Sequence, residues 1–201
     1  MTLSVHYTPK MLANADSYSP SAGKPAQVMA SWAESGLPLN IIEPLPVSVD
    51  QFSLAHDRTF VEGVLSGQIK NGFGNRLPNV AASLPYTSGV MLSAARAALA
   101  NQQGAIAPCS GFHHAGYNYA GGYCTFNGLM VTAAVLLAEG RVHKIGILDC
   151  DQHWGNGTQD IIDRLHLGDR VVHYTPCRNF GRDHRAEAFI AMLPKLRTTF
   201  A

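Results

Sequence analysis

The stretch "LDCDQHWGNGTQD", residues 148–160, sets two aspartates and a histidine at a spacing of two, directly after the apolar run "IGIL". Residues two apart along a strand point to the same side, so Asp149, Asp151 and His153 are predicted to project together where that strand ends. Carboxylate oxygen and imidazole nitrogen are suitable ligands for Zn²⁺ and similar divalent ions. The spacing therefore predicts a metal site, and a merely solvated polar strand end is the alternative.

Strands and helices alternate around this stretch. Ile145, Ile147 and Leu148 lie in a continuous apolar run, which is typical of a strand covered on both faces of a sheet. Turn signals and periodicity predict further strands over 104–110 and 169–175 and helices over 128–140, 157–168 and 183–193. This alternation predicts an α/β fold with a mostly parallel sheet flanked by helices. In such folds the functional groups gather at the carboxyl ends of the strands.

The N-terminal half is predicted to be helical, because capping residues and glycines bound three segments. Helices are expected over 24–36, over 49–67 as one helix or two, and over 87–104. The segment 68–79 is expected to be a loop because it is rich in Gly, Asn and Pro.

The totals are those of an ordinary globular chain: 201 residues, 46% hydrophobic and 14% charged, with a net charge of +1. They predict a single domain over 1–201 with a substantial core. No block of Lys or Arg indicates contact with nucleic acid or an anionic membrane. Neither a secretory leader nor a spanning segment is recognisable, so a cytoplasmic protein is expected. The cysteines form no C-x-x-C pair and are expected to be reduced: Cys109, Cys124, Cys150 and Cys177.

A second polar motif, "GFHHAG", places His113 and His114 directly after a predicted strand. By themselves, adjacent histidines are better explained as surface residues. Beside a metal ion they become candidate catalytic residues, because a hydrolytic centre needs a base for its water and an acid for the leaving group. Histidine can serve as either. The glycines around the pair permit tight turns and the close approach of a ligand.

Two long motifs in this order, "SGFHHAGYNYAGGYCTFNG" and "ILDCDQHWGNGTQD", resemble the histone deacetylase superfamily. The resemblance is closer to the zinc-dependent class II type and to bacterial acetylpolyamine amidohydrolases, and "AHDRTFVEGVLSG" extends it upstream. It implies the arginase/deacetylase α/β fold and a deacetylase that removes acetyl groups from acetyl-lysine or acetylpolyamine amines. The cofactors that it implies are Zn²⁺ and, next to it, a monovalent cation that is usually K⁺.

The resemblance also implies catalytic roles for four residues. His113 and His114 match the tandem catalytic histidines of the family, with His114 as the general base. Asp149 matches the acid that hydrogen-bonds His113. Asn156 stands where the family places the group that orients His114, and the asparagine is shared with class II relatives.

The metal ligands follow from the same resemblance. Asp151 and His153 match two of the three zinc ligands. Asp149 and the backbone carbonyl of Val172 match part of the potassium site. Val171 stands where the family often has a serine hydroxyl ligand, so potassium is less firmly implied than zinc.

The substrate tunnel of the family is matched by three residues. Gly122 and Tyr123 look like one wall of the acyl-lysine tunnel, with Tyr123 in place of the more usual phenylalanine. Phe180 matches the aromatic wall on the facing side. Two aromatic faces can clamp the aliphatic stem of a lysine or polyamine.

Two parts of the family's site are not matched. The third zinc ligand, an aspartate, and the tyrosine or histidine that donates to the oxyanion come later in the family's sequences, and residues 189–201 contain no Asp, Tyr or His. The 201 residues are therefore expected to be the N-terminal part of a deacetylase domain. The alternatives are a non-catalytic remnant that binds acyl ligands or a partner protein, and a homo-oligomer that completes the site. An arginase-like dimanganese centre ranks last, because it needs carboxylates that cannot be placed.

Overall fold

The computed structural model describes residues 2–176 and 185–196, whose strands form two parallel sheets. The first sheet has the order β2-β1-β3, with β1 at Leu3–His6, β2 at Leu39–Ile42 and β3 at Ala105–Ile106. The second sheet pairs β4, Ile145–Leu148, with β5, Val171–Tyr174. In this register Ile147 lies opposite His173, which brings the ends of β4 and β5 together.

Helices flank both sheets. The described residues form α1 Lys24–Glu34, α2 Val49–Phe52, α3 Arg58–Leu65, α4 Pro78–Asn101, α5 Gly128–Ala138, α6 Asn156–Arg164 and α7 Ala186–Met192, with short 3-10 helices at Pro9–Met11 and Leu193–Lys195. Helix α5 is apolar on nearly all sides and buried along most of its length, as its sequence predicts. Within the described part of the chain, no helix has the length and apolar character needed to cross a membrane.

The main core cluster packs around α5. Met130 of α5 is fully buried, and Phe52 at the end of α2 packs against Phe126 with ring centroids 4.5 Å apart. Ile161 of α6 is also fully buried in this cluster. Burial of such a side chain contributes about 1.5–3 kcal/mol. Because Phe126 ends the loop before α5 and Ile161 lies on α6, the cluster fixes both segments that carry the polar motifs.

The predicted α/β architecture with parallel strands flanked by helices is confirmed, but the sequence patterns did not predict two of the strands. No strand is expected before residue 104, yet β1 and β2 lie there. Each is only four residues long, and β2 leaves Asn40 and Ile41 exposed. Such short strands carry little alternation, so their identity comes from the strands with which they pair.

Helix α4 corrects another expectation, because it begins at Pro78 inside the segment predicted to be a loop. Proline in the first turn of a helix lacks only an N–H that would have no helical partner. The helix continues through Pro85, whose missing N–H removes one internal bond. The Pro85 carbonyl accepts a hydrogen bond from the Val47 N–H at 2.9 Å, and packing on α5 holds the helix. It ends at Gln102, which adopts the left-handed conformation with φ 56°, before the expected end at Gly104.

The cysteines that the structure describes are free thiols: Cys109, Cys124 and Cys150. Cys177 lies outside the described residues. Desolvation raises the pKa of Cys109 to about 12 and, against opposing backbone hydrogen bonds, that of Cys124 to about 11. Both thiols are therefore protonated at neutral pH.

Candidate active site

The candidate site forms where three segments meet: the histidine loop (residues 111–127), the residues after β4, and the first turn of α6. The backbone carbonyl of His113 accepts hydrogen bonds from the N–H groups of Gly157 at 2.9 Å and Thr158 at 3.1 Å. The buried Asn127 side chain donates to the hydroxyl of Thr158 at 3.0 Å. These bonds fasten the histidine loop to α6, so the two polar motifs of the sequence lie side by side.

His113 and Asp149 form a buried pair. The Nδ1 of His113 lies 2.7 Å from the Oδ2 of Asp149. This hydrogen bond raises the pKa of His113 against the opposing effect of burial. Burial also acts to raise the pKa of Asp149, but the His113 bond, the close approach of His173 and the Asp151 backbone N–H together hold that pKa well below its usual range. The pair therefore combines a carboxylate with an imidazole whose protonated form is favoured.

His114 has a different partner. Its Nδ1 lies 2.6 Å from the side-chain oxygen of Asn156, so Nδ1–H donates to the amide and Nε2 is left as an acceptor. The Nδ2 of Asn156 in turn donates to the hydroxyl of Tyr119 at 3.3 Å. The partner of His114 is thus neutral, whereas the partner of His113 is charged.

Residues 149–153 form turns and do not continue the strand, because β4 ends at Leu148. Asp149 Oδ1 accepts a hydrogen bond from the Asp151 N–H at 3.1 Å, and Asp151 Oδ1 accepts one from the His153 N–H at 2.7 Å. The predicted sharing of one strand face by all three side chains does not occur. Asp149 is buried against His113, whereas Asp151 and His153 are about half exposed and line the cavity.

Asp151 and His153 fit part of a metal site. Their Oδ1 and Nδ1 atoms lie 2.9 Å apart at the wall of the cavity, as an oxygen and a nitrogen donor. A catalytic zinc normally has three protein ligands. In residues 2–176 and 185–196, no group of three or more His, Cys, Asp or Glu side chains is arranged to hold a metal ion. The pair therefore fits two ligand positions, and the assignment of potassium to Asp149 and Val172 stays a prediction.

A cavity of about 470 Å³ opens onto these side chains. Gly122 and Tyr123 lie in its wall, and both adopt the left-handed backbone conformation, with φ 53° and 62°. Phe180, the predicted facing wall, lies outside the described residues. The remaining described lining residues are Ser19, Ser21, Lys24, Cys109, Ser110, Gly111, His113, His114, Cys124, Asp151 and His153.

His56 is hydrogen-bonded to the histidine loop, and this supporting role was not predicted from the sequence. It is fully buried, with Nδ1 2.9 Å from the Gly116 carbonyl and Nε2 accepting the Asn127 N–H at 2.9 Å. Burial lowers the pKa of His56 to about 4, although the carbonyls of Gly116 and Tyr117 oppose the shift. The neutral ring thus links the turn after α2 to two points of the histidine loop, Gly116 in its first half and Asn127 at its end. The signal available in the sequence was a lone histidine within the apolar stretch "FSLAHDRTF".

Comparison with known proteins agrees with this geometry. The histone deacetylase domain family matches residues 20–175, and the chain belongs to this family. Acetylpolyamine amidohydrolase 2 of Pseudomonas aeruginosa is 45% identical over 65 residues, which are 32% of this chain and 19% of that protein. Acetylpolyamine amidohydrolase of Mycoplana ramosa is 57% identical over 49 residues, 24% of this chain and 14% of that protein.

A solved structure shows the same fold. The HD domain of HDA15 superimposes with a TM-score of 0.73 at 22% identity, covering 86% of this chain and 53% of that chain. The chain thus spans about half the length of that structure, and its aligned segments cover less than a fifth of the curated relatives. The arginase/deacetylase fold that the sequence motifs imply is therefore present.

Proposed function

We propose that this protein is a zinc-dependent amidohydrolase that removes acetyl groups from acetyl-lysine side chains or acetylated polyamines. The observation that carries the proposal is the pair of adjacent imidazoles with different fixed partners, His113 on Asp149 and His114 on Asn156. Membership of the histone deacetylase family and the names of the amidohydrolase relatives support this reaction class.

His114 serves as the general base in this proposal. Its Nδ1–H is engaged by the amide oxygen of Asn156, so Nε2 is the nitrogen that accepts a proton. His114 lines the cavity, where an attacking water and the acyl group have room. Because its Nδ1 side is occupied by a neutral amide, the free Nε2 is the atom that can accept that proton.

His113 serves as the acid. The buried carboxylate of Asp149 favours the protonated imidazole, because a charged partner at 2.7 Å stabilises the cation. The ring also lines the cavity. It can donate to the amine as it leaves and stabilise negative charge on the tetrahedral intermediate.

Asp151 and His153 would hold the zinc ion, with the remaining ligand supplied from outside the described residues. Bound zinc would polarise the acetyl carbonyl and lower the pKa of a water. A potassium ion at Asp149 and Val172 completes the proposed cation set. Gly122 and Tyr123 would form one wall for the amine's aliphatic stem, with Phe180 proposed opposite them.

A non-catalytic module that binds acyl ligands is the second candidate. The observation that favours it is that no group of three or more His, Cys, Asp or Glu side chains in the described part of the chain is arranged to hold a metal ion. Zinc stoichiometry separates the two candidates, since a catalytic centre requires one tightly bound zinc per chain. Acyl-ligand binding without zinc would support the module.

The deciding experiment measures acetate released by the purified protein from an acetyl-lysine peptide and from an acetylated diamine, with one equivalent of Zn²⁺. His114→Ala is expected to lower kcat by about 10²–10⁴-fold with zinc content unchanged. His143→Ala, which alters an exposed histidine away from the cavity, is the matched control. Acetate release that survives His114→Ala would contradict the assignment of the base, and a protein that neither binds zinc nor releases acetate would favour the non-catalytic module.

A further inference from the structure

Asp149 has a second histidine neighbour that the proposed reaction does not use. His173 lies on β5, and its Nε2 is 3.8 Å from Asp149 Oδ2. The same carboxylate oxygen lies 2.7 Å from the Nδ1 of His113. Asp149 is therefore flanked by two imidazoles, one belonging to the catalytic pair and one arriving from the neighbouring strand.

The His173 ring is polar but buried. Its side chain is 1% exposed, and its Nε2 has no hydrogen-bond partner among the described residues. A buried ring nitrogen without a hydrogen-bond partner is unfavourable. The Nδ1 lies 3.4 Å from the side-chain amide of Gln159, which can present its oxygen or, after turning, its NH₂ group. The Nε2 of His173 can therefore carry the proton and donate it toward Asp149.

The backbone at Gly155 leaves room for this approach. A Cβ placed at Gly155 would lie 2.6 Å from Asp149 Oδ2 and 3.0 Å from His173 Nε2. Only glycine therefore lets the imidazole and the carboxylate face each other across this position. The indole of Trp154 lies near the His173 ring, with centroids 6.1 Å apart and planes tilted by 51°.

We propose that His173 is a positioning residue that donates from Nε2 to Asp149 and thereby holds the carboxylate in place against His113. The contact closes from 3.8 Å to hydrogen-bond length by a movement of about 1 Å. The inference rests on the proposed deacetylase reaction, because the orientation of His113 matters for its role as the acid. The alternative is that His173 only fills space between β5 and α6.

The test compares two substitutions of equal size, His173→Gln and His173→Met. Glutamine keeps a donor near the position of Nε2, whereas methionine fills the same volume without one. We expect His173→Met to lower kcat by about ten- to a hundredfold with KM unchanged, as for other residues that orient a catalytic side chain. His173→Gln should retain kcat within about threefold of the parent, and His143→Gln is the control for loss of an exposed histidine. Equal losses in the Met and Gln variants would show that the ring's shape matters and would overturn the donor role.

A second readout does not require activity. A charge-assisted bond such as that between His113 and Asp149 gives a strongly downfield proton resonance, assigned by its disappearance in His113→Ala. We expect this resonance to shift or broaden in His173→Met and to persist in His173→Gln. An unchanged resonance in both variants would overturn the inference. If His173→Met does not fold, His173→Leu, which also removes both ring nitrogens, is expected to disturb the same resonance.

The two readouts separate the two proposals. A parent protein that binds zinc but releases no acetate would refute the proposed function, while the resonance still decides whether His173 holds Asp149. An active parent whose kcat and resonance are both insensitive to His173→Met would refute only the positioning role.

Discussion

The rings of His113 and His114 lie with centroids 4.1 Å apart and planes 49° apart, yet each Nδ1 is bound to a partner of different charge. His113 faces the buried carboxylate of Asp149 at 2.7 Å, and His114 faces the amide of Asn156 at 2.6 Å. Adjacent residues in a loop point in different directions, so each imidazole reaches a separate segment. This asymmetry gives two neighbouring groups of one chemical type different hydrogen-bond environments, as separate roles in catalysis require.

Replacement of Asp149 by asparagine is expected to lower the pKa of His113. The Asp149 carboxylate raises the pKa of His113 while burial lowers it, so Asp149→Asn should leave burial opposed only by the smaller effect of the Asp151 charge. The His113 pKa, followed by NMR titration, should therefore fall, and kcat should fall by about tenfold or more. An unchanged His113 titration in Asp149→Asn would show that the carboxylate does not control this imidazole.

Loss of the Asp151 carboxylate is expected to remove the metal. Asp151→Ala deletes one of two proposed donors whose atoms lie 2.9 Å apart, and a site that loses a ligand binds zinc weakly. Zinc content after dialysis, measured by atomic absorption, should drop well below one per chain. Asp169→Ala, which removes an exposed carboxylate, should keep the parent content. Full zinc content in Asp151→Ala would mean that the ligand is misassigned.

A methyl group at Gly122 is expected to displace the base. A Cβ built at this position would meet the His114 ring, with the Cγ atom 2.7 Å away, and φ is +53°. Gly122→Ala should lower kcat by at least tenfold, because displacement of a catalytic group reduces the reaction rate far more than it reduces the stability of the protein. Gly140→Ala is the matched control, since it has φ +65° but no neighbour within 4 Å of the added Cβ. It should show the same backbone strain, about 1 kcal/mol, without the loss of activity. Equal activity of the two variants would contradict the contact.

His56 is expected to make stability depend on pH. Its pKa is about 4 in the folded protein against an ordinary value of 6.5, so the unfolded chain binds the proton first as pH falls. At pH 7.5 the group is neutral in both states and contributes no pH dependence. Between pH 6.5 and pH 4 the free energy of unfolding should decrease by up to about 3 kcal/mol from this group alone.

Urea unfolding of the parent and of His56→Gln at pH 7.5 and pH 5 measures that effect. At pH 7.5 the variant should be less stable by about 1–3 kcal/mol, because two buried hydrogen bonds are weakened. The difference should narrow at pH 5, since glutamine does not titrate. A difference that is the same at both pH values would show that His56 is not held neutral.

Several elements of the fold are readable because their signals are local. The apolar run at Ile145–Leu148 predicts a strand, although the expected burial of both its faces is wrong because Gly146 and Leu148 are exposed. The continuous apolarity of Gly128–Ala138 predicts a buried helix. The short strand β1 could not be predicted, because four residues carry little periodicity. The first turns of α4 could not be predicted either, because a proline such as Pro85 normally indicates a break in a helix. In both cases packing against neighbours overrides a weak or contrary local preference.

The sequence by itself determined the family, the tandem histidines and the acidic motif, because these are contiguous runs whose chemistry is carried by residue type and spacing. Only the tertiary structure decided that the polar side chains after β4 do not share one face, since Asp149 turns inward to His113 while Asp151 faces the cavity. It also decided that the buried His56 bonds to the histidine loop and that His173 lies 3.8 Å from Asp149. Those relationships join residues far apart along the chain, 36 residues for the His113–Asp149 bond and 71 for the bond between His56 and Asn127. Such contacts depend on how buried segments pack, and no local pattern of residues encodes that packing.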